Sequence, residues 1–350
     1  MIKGLGYGLA GVGIIAGTLM GIAMITKFEV PPVTTVQRGF RGTGMDQNVN
    51  PRAMREFIAE NVVPAYLPQA SAAGPKAAVV YKNVQVLGDL SVGQFTRLMV
   101  SITQWVAPKQ GCTYCHNPAN MAEDNIYTKV VARRMIQMTQ NINAEWQPHV
   151  NQTGVVCYTC HRGNNIPVNV WFNDPGEQRT SGVAQANMGM GVGAHGSVGN
   201  ASLPQDPFTP FLEKDYNIRQ QGETALPSGS AHSIKESEWT FALMIHFSQS
   251  LGVNCTYCHN SRAFSDWSQS SPARTNAWYG IRMVRQANNE YMTPLKSVFP
   301  DYRLGKEGDV AKVACNTCHN GVFKPLYGVS MLKDFPELSH PTVQKSASAE

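Results

Sequence analysis

Charge is thin in this sequence. Lys, Arg, Asp and Glu make up 15% of its 350 residues, and the formal net charge is only +5. No basic stripe forms, which excludes the electrostatic footprint of a nucleic-acid binder. Nor do charges segregate into a docking face: Lys109, Glu123, Asp124 and Arg133 lie intermixed. Extended strand is nearly missing, YKNVQV at 81–86 being the best candidate, so a sheet fold is not expected. Histidine is scarce, with nine in all. No cysteine stands outside one repeated motif, so there is none left to form a disulfide. A hydrophobic fraction of 43% still supplies ample material for one or two cores.

The repeated motif is Cys-x-x-Cys-His, and four copies consume all eight cysteines. They are Cys112 and Cys115 with His116, Cys157 and Cys160 with His161, Cys255 and Cys258 with His259, and Cys315 and Cys318 with His319. This is the attachment signature of c-type haem: two thiols become thioethers and the adjacent histidine reaches the iron as proximal ligand. One copy would also suit a redox dithiol or half a zinc site. Four copies, each followed at once by His, point to four covalently bound haem c. Such haem is attached outside the cytoplasm, where structural cysteines would otherwise pair; here haem itself does the crosslinking.

The copies are of two kinds. The first and third read CTYCHN, whereas the second and fourth read CYTCHRG and CNTCHNG. That is a duplicated two-haem unit, interrupted by an insertion at Gly176–Pro210 with GMGVGAHGSVGN at its centre. Leu5 to Ile25 carries no charge and is about one bilayer core in length as a helix; a cleaved export signal is the alternative, but no small-x-small cleavage site follows the run, so a retained anchor is expected. Gly13, Gly17 and Gly21 share one face of it, where another helix could approach closely. The chain then divides into an anchor at 1–28, an extended or irregular segment at 29–90, a first two-haem unit at 91–175, a Gly/Pro-rich connection at 176–230, a second unit at 231–330 and a tail at 331–350. The fold class is mostly α: a multihaem cytochrome c with two pseudo-symmetric halves, long irregular loops and one N-terminal transmembrane helix.

Four helical patterns accompany the motifs. Phe95, Leu98, Met99 and Ile102 share a face in the first, with Ser91 and Gln94 as a capping box and Pro108 closing it. Val131, Met135, Met138 and Ile142 mark the second. Ser233 with Glu236 caps the third, which carries Trp239, Leu243, Met244 and Phe247, and the fourth runs from about Ala273 to Met292. An electron-transfer haem is normally six-coordinate, so each iron needs a second ligand. Beyond the motifs only His149, His195, His232, His246 and His340 remain, against fifteen methionines. Met99 and Met244 precede the first and third motifs at similar offsets. For the second, Met135 and Met138 compete; for the fourth, Met283 by internal symmetry competes with His149.

Four motifs in two unlike pairs, with AWYGIRMVRQ (277–286) and CNTCHNGVFKPLYGVSMLKDFPEL (315–338), make the chain resemble the tetrahaem cytochrome subunit of the purple-bacterial photosynthetic reaction centre. The resemblance implies Met99, Met135 and Met244 as sixth ligands of the first three haems and His149 as that of the fourth, leaving Met283 to packing. It implies a row of haems in the order third, fourth, second, first, counted from the bacteriochlorophyll special pair, with Arg274 close to the third. It further implies an electron relay, not an enzyme, on the periplasmic side of the photosynthetic inner membrane. The partners would be the reaction-centre membrane subunits, a soluble cytochrome c or high-potential iron–sulfur protein, and light-harvesting antenna helices. No cysteine is placed to carry an N-terminal lipid, so the hydrophobic helix would hold the membrane. A membrane-anchored tetrahaem quinol dehydrogenase is the alternative, but such chains are much shorter and depend on extra histidines. A catalytic multihaem reductase would need an iron with a vacant face.

Overall fold

The computed structural model describes residues 2–27, 34–37, 47–173, 206–220 and 234–340. His195, His232, Ser233 and the GMGVGAHGSVGN segment lie outside the described residues. Helices dominate: α1 Ile2–Lys27, α2 Pro51–Glu60, α3 Ala77–Val80, α4 Val92–Val106, α5 Tyr127–Glu145, α6 Gln147–Val150, α7 Cys157–His161, α8 Ile234–Leu251, α9 Pro272–Gln286 and α10 Cys315–His319. Described strands are short antiparallel pairs, β1 Thr34–Val36 with β2 Gln47–Val49 and β3 Val170–Trp171 with β4 Lys312–Val313.

α4 starts where the capping box requires. Ser91 Oγ accepts the Gln94 N–H and Gln94 Oε1 accepts the Ser91 N–H, both at 3.2 Å, satisfying two donors that a helix start otherwise leaves orphaned. The fourth helical pattern runs to Met292 as expected, but only its first part is regular α-helix. Regular α-helix ends at Gln286, a π-turn follows at Ala287–Met292, and a 3₁₀ segment carries Pro294 within Thr293–Ser297. The expected strand at 81–86 is also corrected: this segment is irregular. Asn83 sits at φ 60°, outside any pleat, and its amide donates to Ala122 O and Asp124 Oδ1 across the chain.

α1 has described side chains from Gly11 to Thr26, and among the described residues no helix is long and apolar enough to cross a membrane. Val12, Ile14, Ile15, Leu19 and Ile25 are all more than half exposed on it.

Two apolar clusters form the core. The first joins Leu98 and Trp105 of α4 and Ile136 of α5 to Val156, Cys157, Met331, Phe335 and Leu338. The second joins Ile142 of α5, Leu243 of α8 and Ile281, Met283 and Val284 of α9 to Trp171, Phe211 and Leu212. Sequence-remote segments interleave in both. Phe335 meets Trp105 edge-on at 4.6 Å between ring centres. The Arg97 guanidinium lies 3.9 Å over the other part of that aromatic contact, the Phe335 ring, and donates to Leu67 O and Asp334 O. A buried guanidinium needs such acceptors to offset its desolvation.

Asn143 of α5 locks the same junction. Its amide donates to Val155 O and Leu338 O at 2.8 Å each, and its Oδ1 accepts the Val155 N–H at 2.7 Å. With Asn143 only 1% exposed, truncation would orphan three backbone groups away from water. Asn143→Ala is expected to lower stability by about 3 kcal/mol, read as a shifted denaturant midpoint with unchanged slope.

Candidate functional site

All four motifs face one interior space. A cavity of about 2010 Å³ is lined by all eight cysteines and by His116, His161, His259 and His319. Small-molecule sites usually span only about 300–1,000 Å³, so this space suits several bulky groups. Met99, Met135, Met244 and His149 line it too, as do Met138 and Met283.

Each motif histidine is oriented by a carbonyl farther along the chain. His116 Nδ1 bonds Met121 O at 3.1 Å, His161 Nδ1 bonds Asn164 O at 2.9 Å, His259 Nδ1 bonds Phe264 O at 2.8 Å and His319 Nδ1 bonds Val322 O at 3.0 Å. A carbonyl only accepts, so Nδ1 carries the proton and Nε2 keeps its lone pair. This is the arrangement by which proteins present imidazole to a metal. Burial lowers the proton affinity of His161 and His259, and brings that of His319 down to about 4, which favours the neutral, ligating form. Burial also pushes the Cys157 and Cys315 thiols up to about 12 and Cys258 up to about 11. Thiols held protonated are poor nucleophiles, which disfavours a free redox dithiol.

The two kinds of motif differ in backbone as in sequence. The second and fourth form the one-turn helices α7 and α10, where Thr159 Oγ accepts the Val156 N–H and Thr317 Oγ accepts the Ala314 N–H. Both then turn left-handed, at Arg162 (φ 49°) and Asn320 (φ 45°), followed by Gly163 and Gly321 at φ near 80°. That tight reversal brings the acceptor carbonyl to the third residue beyond the histidine. The first and third are 3₁₀ turns, Gly111–Tyr114 and Cys255–Tyr257, and their histidines reach carbonyls five residues on. A hydroxyl at the start of the next helix closes each: Thr128 on Tyr114 O and Ser271 on Tyr257 O.

The motifs follow one another in space. α4 packs on both the first motif and α7, and Gly163 N donates to Trp105 O. α7 packs on α10, where Cys160 Sγ lies 2.6 Å from Cys318 Sγ and Arg162 donates to Cys318 O. α10 packs on α8, Gly321 N donates to Ser250 O, and Tyr257 and Phe323 stand 5.9 Å apart. The order is first, second, fourth, third.

Among the candidate second ligands, His149 is the most constrained. Its ring centre lies 6.1 Å from that of His319. With metal–nitrogen bonds of about 2 Å, two imidazoles on opposite faces of one metal stand roughly 6 Å apart. His149 Nδ1 bonds Asn276 O at 3.0 Å, again leaving Nε2 bare. The ring presses on Gly280 so closely that a Cβ there would sit 2.6 Å from Cε1. Asn276 and Gly280 thus cradle a ligand candidate, a role that no spacing in the sequence signals. His246 behaves otherwise: it is 1% exposed, edge-on to Phe208 and beside Ser250 Oγ. His340 is exposed near the chain's end. Met283 is buried within the second apolar cluster and Met138 packs against it, while Met99 packs against the first. The residues present therefore fit covalent haem.

The chain matches the photosynthetic reaction centre cytochrome C subunit family over residues 29–339. It belongs to that family. The photosynthetic reaction center cytochrome c subunit of Rubrivivax gelatinosus (strain NBRC 100245 / IL144) is 51% identical over 329 residues, 93% of this chain and 89% of that protein. That of Thermochromatium tepidum is 51% identical over 326 residues, covering 93% and 80%. That of Roseobacter denitrificans (strain ATCC 33942 / OCh 114) is 42% identical over 347 residues, covering 94% and 92%. The cytochrome subunit described here is an electron-transfer protein of the reaction centre, carries covalently bound haem c, associates with the membrane complex and is not an enzyme. The respiratory quinol dehydrogenase reading falls away.

One close approach along the row is directly testable. Gly252, at φ +61°, lies so near the fourth motif that a Cβ would meet Gly321 O at 2.1 Å. Gly252→Ala is expected to cost about 2 kcal/mol or more through strain and forced separation of the third and fourth motifs. Denaturant unfolding followed at the haem band would register it as a lower midpoint.

Proposed function

We propose that the cytochrome subunit holds four haems, one per motif, and relays electrons from a soluble periplasmic donor to the photo-oxidised special pair. The observation that carries this reading is the unbroken succession of the four motifs along one cavity. His116, His161, His259 and His319 would be the proximal ligands, with Met99, Met135, Met244 and His149 opposite them. Reversible one-electron chemistry belongs to the haems when bound. The chain's own work is to orient imidazoles through carbonyls, keep their Nε2 lone pairs free and exclude water with its two apolar clusters.

The third motif would face the special pair and the first would face the donor, a small cytochrome c or high-potential iron–sulfur protein. Shared backbone geometry within each kind of motif supports two pseudo-symmetric halves, with boundaries near residues 28, 90, 175, 230 and 330. α1 would be the single-pass anchor: its described side chains, Gly11 to Thr26, are too few to span by themselves, but the whole helix of 26 residues at about 1.5 Å each exceeds a hydrocarbon core of roughly 30 Å. Its outward-facing apolar residues are costly in water and at home in lipid. Gly13, Gly17 and Gly21 would admit a reaction-centre or antenna helix. Haem attachment outside the cytoplasm would put the bulk of the chain on the periplasmic side.

Flash-induced absorbance in membranes washed free of soluble carriers, with haems pre-reduced, tests the relay. Bound c-type haem is expected to oxidise after one flash as the special pair recovers; recovery by back-reaction alone, with the haems still reduced, would refute it. The ligand set has its own test. His149→Met is expected to convert one bis-His iron to Met/His and raise one of four midpoint potentials. An unchanged redox titration would remove His149 from the ligand set.

A further inference from the structure

Behind the first motif lies a charged group that the relay reading leaves without a role. Lys129, two residues into α5, is 7% exposed. Its Nζ donates to Met121 O at 2.9 Å and Glu123 O at 2.7 Å, and lies 3.2 Å from Asp124 Oδ1. Met121 O is the carbonyl that also accepts from His116 Nδ1. One oxygen therefore serves both the proximal imidazole and a buried cation. Among the described residues, no Lys or Arg donates to the corresponding carbonyls of Asn164, Phe264 or Val322.

We infer that Lys129 is a positioning residue that raises the reduction potential of the haem on Cys112 and Cys115, acting through the Met121 carbonyl. Two effects share a sign. A carbonyl already polarised by a cation accepts less strongly from Nδ1–H, so His116 donates less electron density to the metal. Oxidised iron also carries one more positive charge than reduced iron, and a nearby buried cation disfavours it. Other charges border the group. Asp124 is clamped by the two terminal guanidinium nitrogens of Arg133, at 2.9 and 2.8 Å, and that clamp holds its carboxyl well below the usual carboxylate range. The Glu123 carboxylate is held by the amides of Asn117, Asn120 and Asn125. Asp124 thus partly cancels Lys129, and the two side chains should pull one potential in opposite directions.

The inference rests on His116 ligating iron, as proposed above. Spectroelectrochemical titration of the intact reaction-centre complex, resolved into four one-electron components, is the test. Removing a unit charge roughly 12 Å from the iron, at an effective dielectric near 20, is worth about tenfold. Lys129→Met should therefore disfavour reduction of one component by about tenfold, a fall of 59 mV for one electron, with the other three unmoved. Asp124→Asn, at a side chain 36% exposed, should raise the same component, and it serves alone if Lys129→Met fails to assemble. An unmoved component, a joint drift of all four, or a fall in Asp124→Asn would overturn the inference. Haem content and low-spin signals from the same samples separate the outcomes. Absence of a low-spin haem at the first motif in the unsubstituted complex would refute the ligand reading, whereas four intact haems with unmoved potentials in Lys129→Met and Asp124→Asn would refute only the role of Lys129.

Discussion

The constraint on which this molecule depends is that each motif histidine must expose a bare Nε2 to the interior while keeping Nδ1 satisfied. An imidazole buried with an orphaned N–H would be costly and free to rotate. Four backbone carbonyls solve both problems. Supplying them dictates the loops: left-handed turns at Arg162–Gly163 and Asn320–Gly321 bring the carbonyl round at once. The longer excursions to Met121 and Phe264 need Thr128 and Ser271 to tie them down. His149 obeys the same rule through Asn276.

Around these fixed points both apolar clusters contribute to the lining of the cavity. Each apolar cluster draws on segments far apart in the sequence. Residues 331–338 return to α4, and β4 returns to β3. This interleaving gives a row of motifs the rigidity that short helices lack on their own, since one-turn elements such as α7 and α10 form only with tertiary support. Buried polar side chains at the crossings, Arg97 and Asn143, specify register where apolar contact alone would tolerate sliding.

Function here is positional. The subunit transfers electrons and is not an enzyme, so what the fold contributes is spacing, dryness and the electrostatics behind each imidazole. Membership of the reaction-centre cytochrome family fits that character. The first motif, the one backed by a lysine among the described residues, illustrates how the protein can differentiate otherwise similar sites without touching the metal.

Much of this was legible in sequence because it is local. CxxCH needs only five residues to declare its chemistry, the Ser91–Gln94 cap lies within one helical turn, and the two kinds of motif differ in residues that govern their own turns. The strand reading at 81–86 failed for a tertiary reason: Asn83 takes a left-handed conformation to reach Ala122 and Asp124. The fourth helix gave way to a π-turn where Asn288 reaches Leu212 and Val313. Spatial order belongs to tertiary structure as well, since the fourth motif lies between the second and third through contacts far apart in the chain. So does the approach of the His149 ring to within 6.1 Å of that of His319, which no spacing in the sequence signals. Composition and motif determine what the chain can bind; only the folded packing decides which side chain faces which, because that depends on backbones meeting at places such as Gly252 and Gly280, where no side chain would fit.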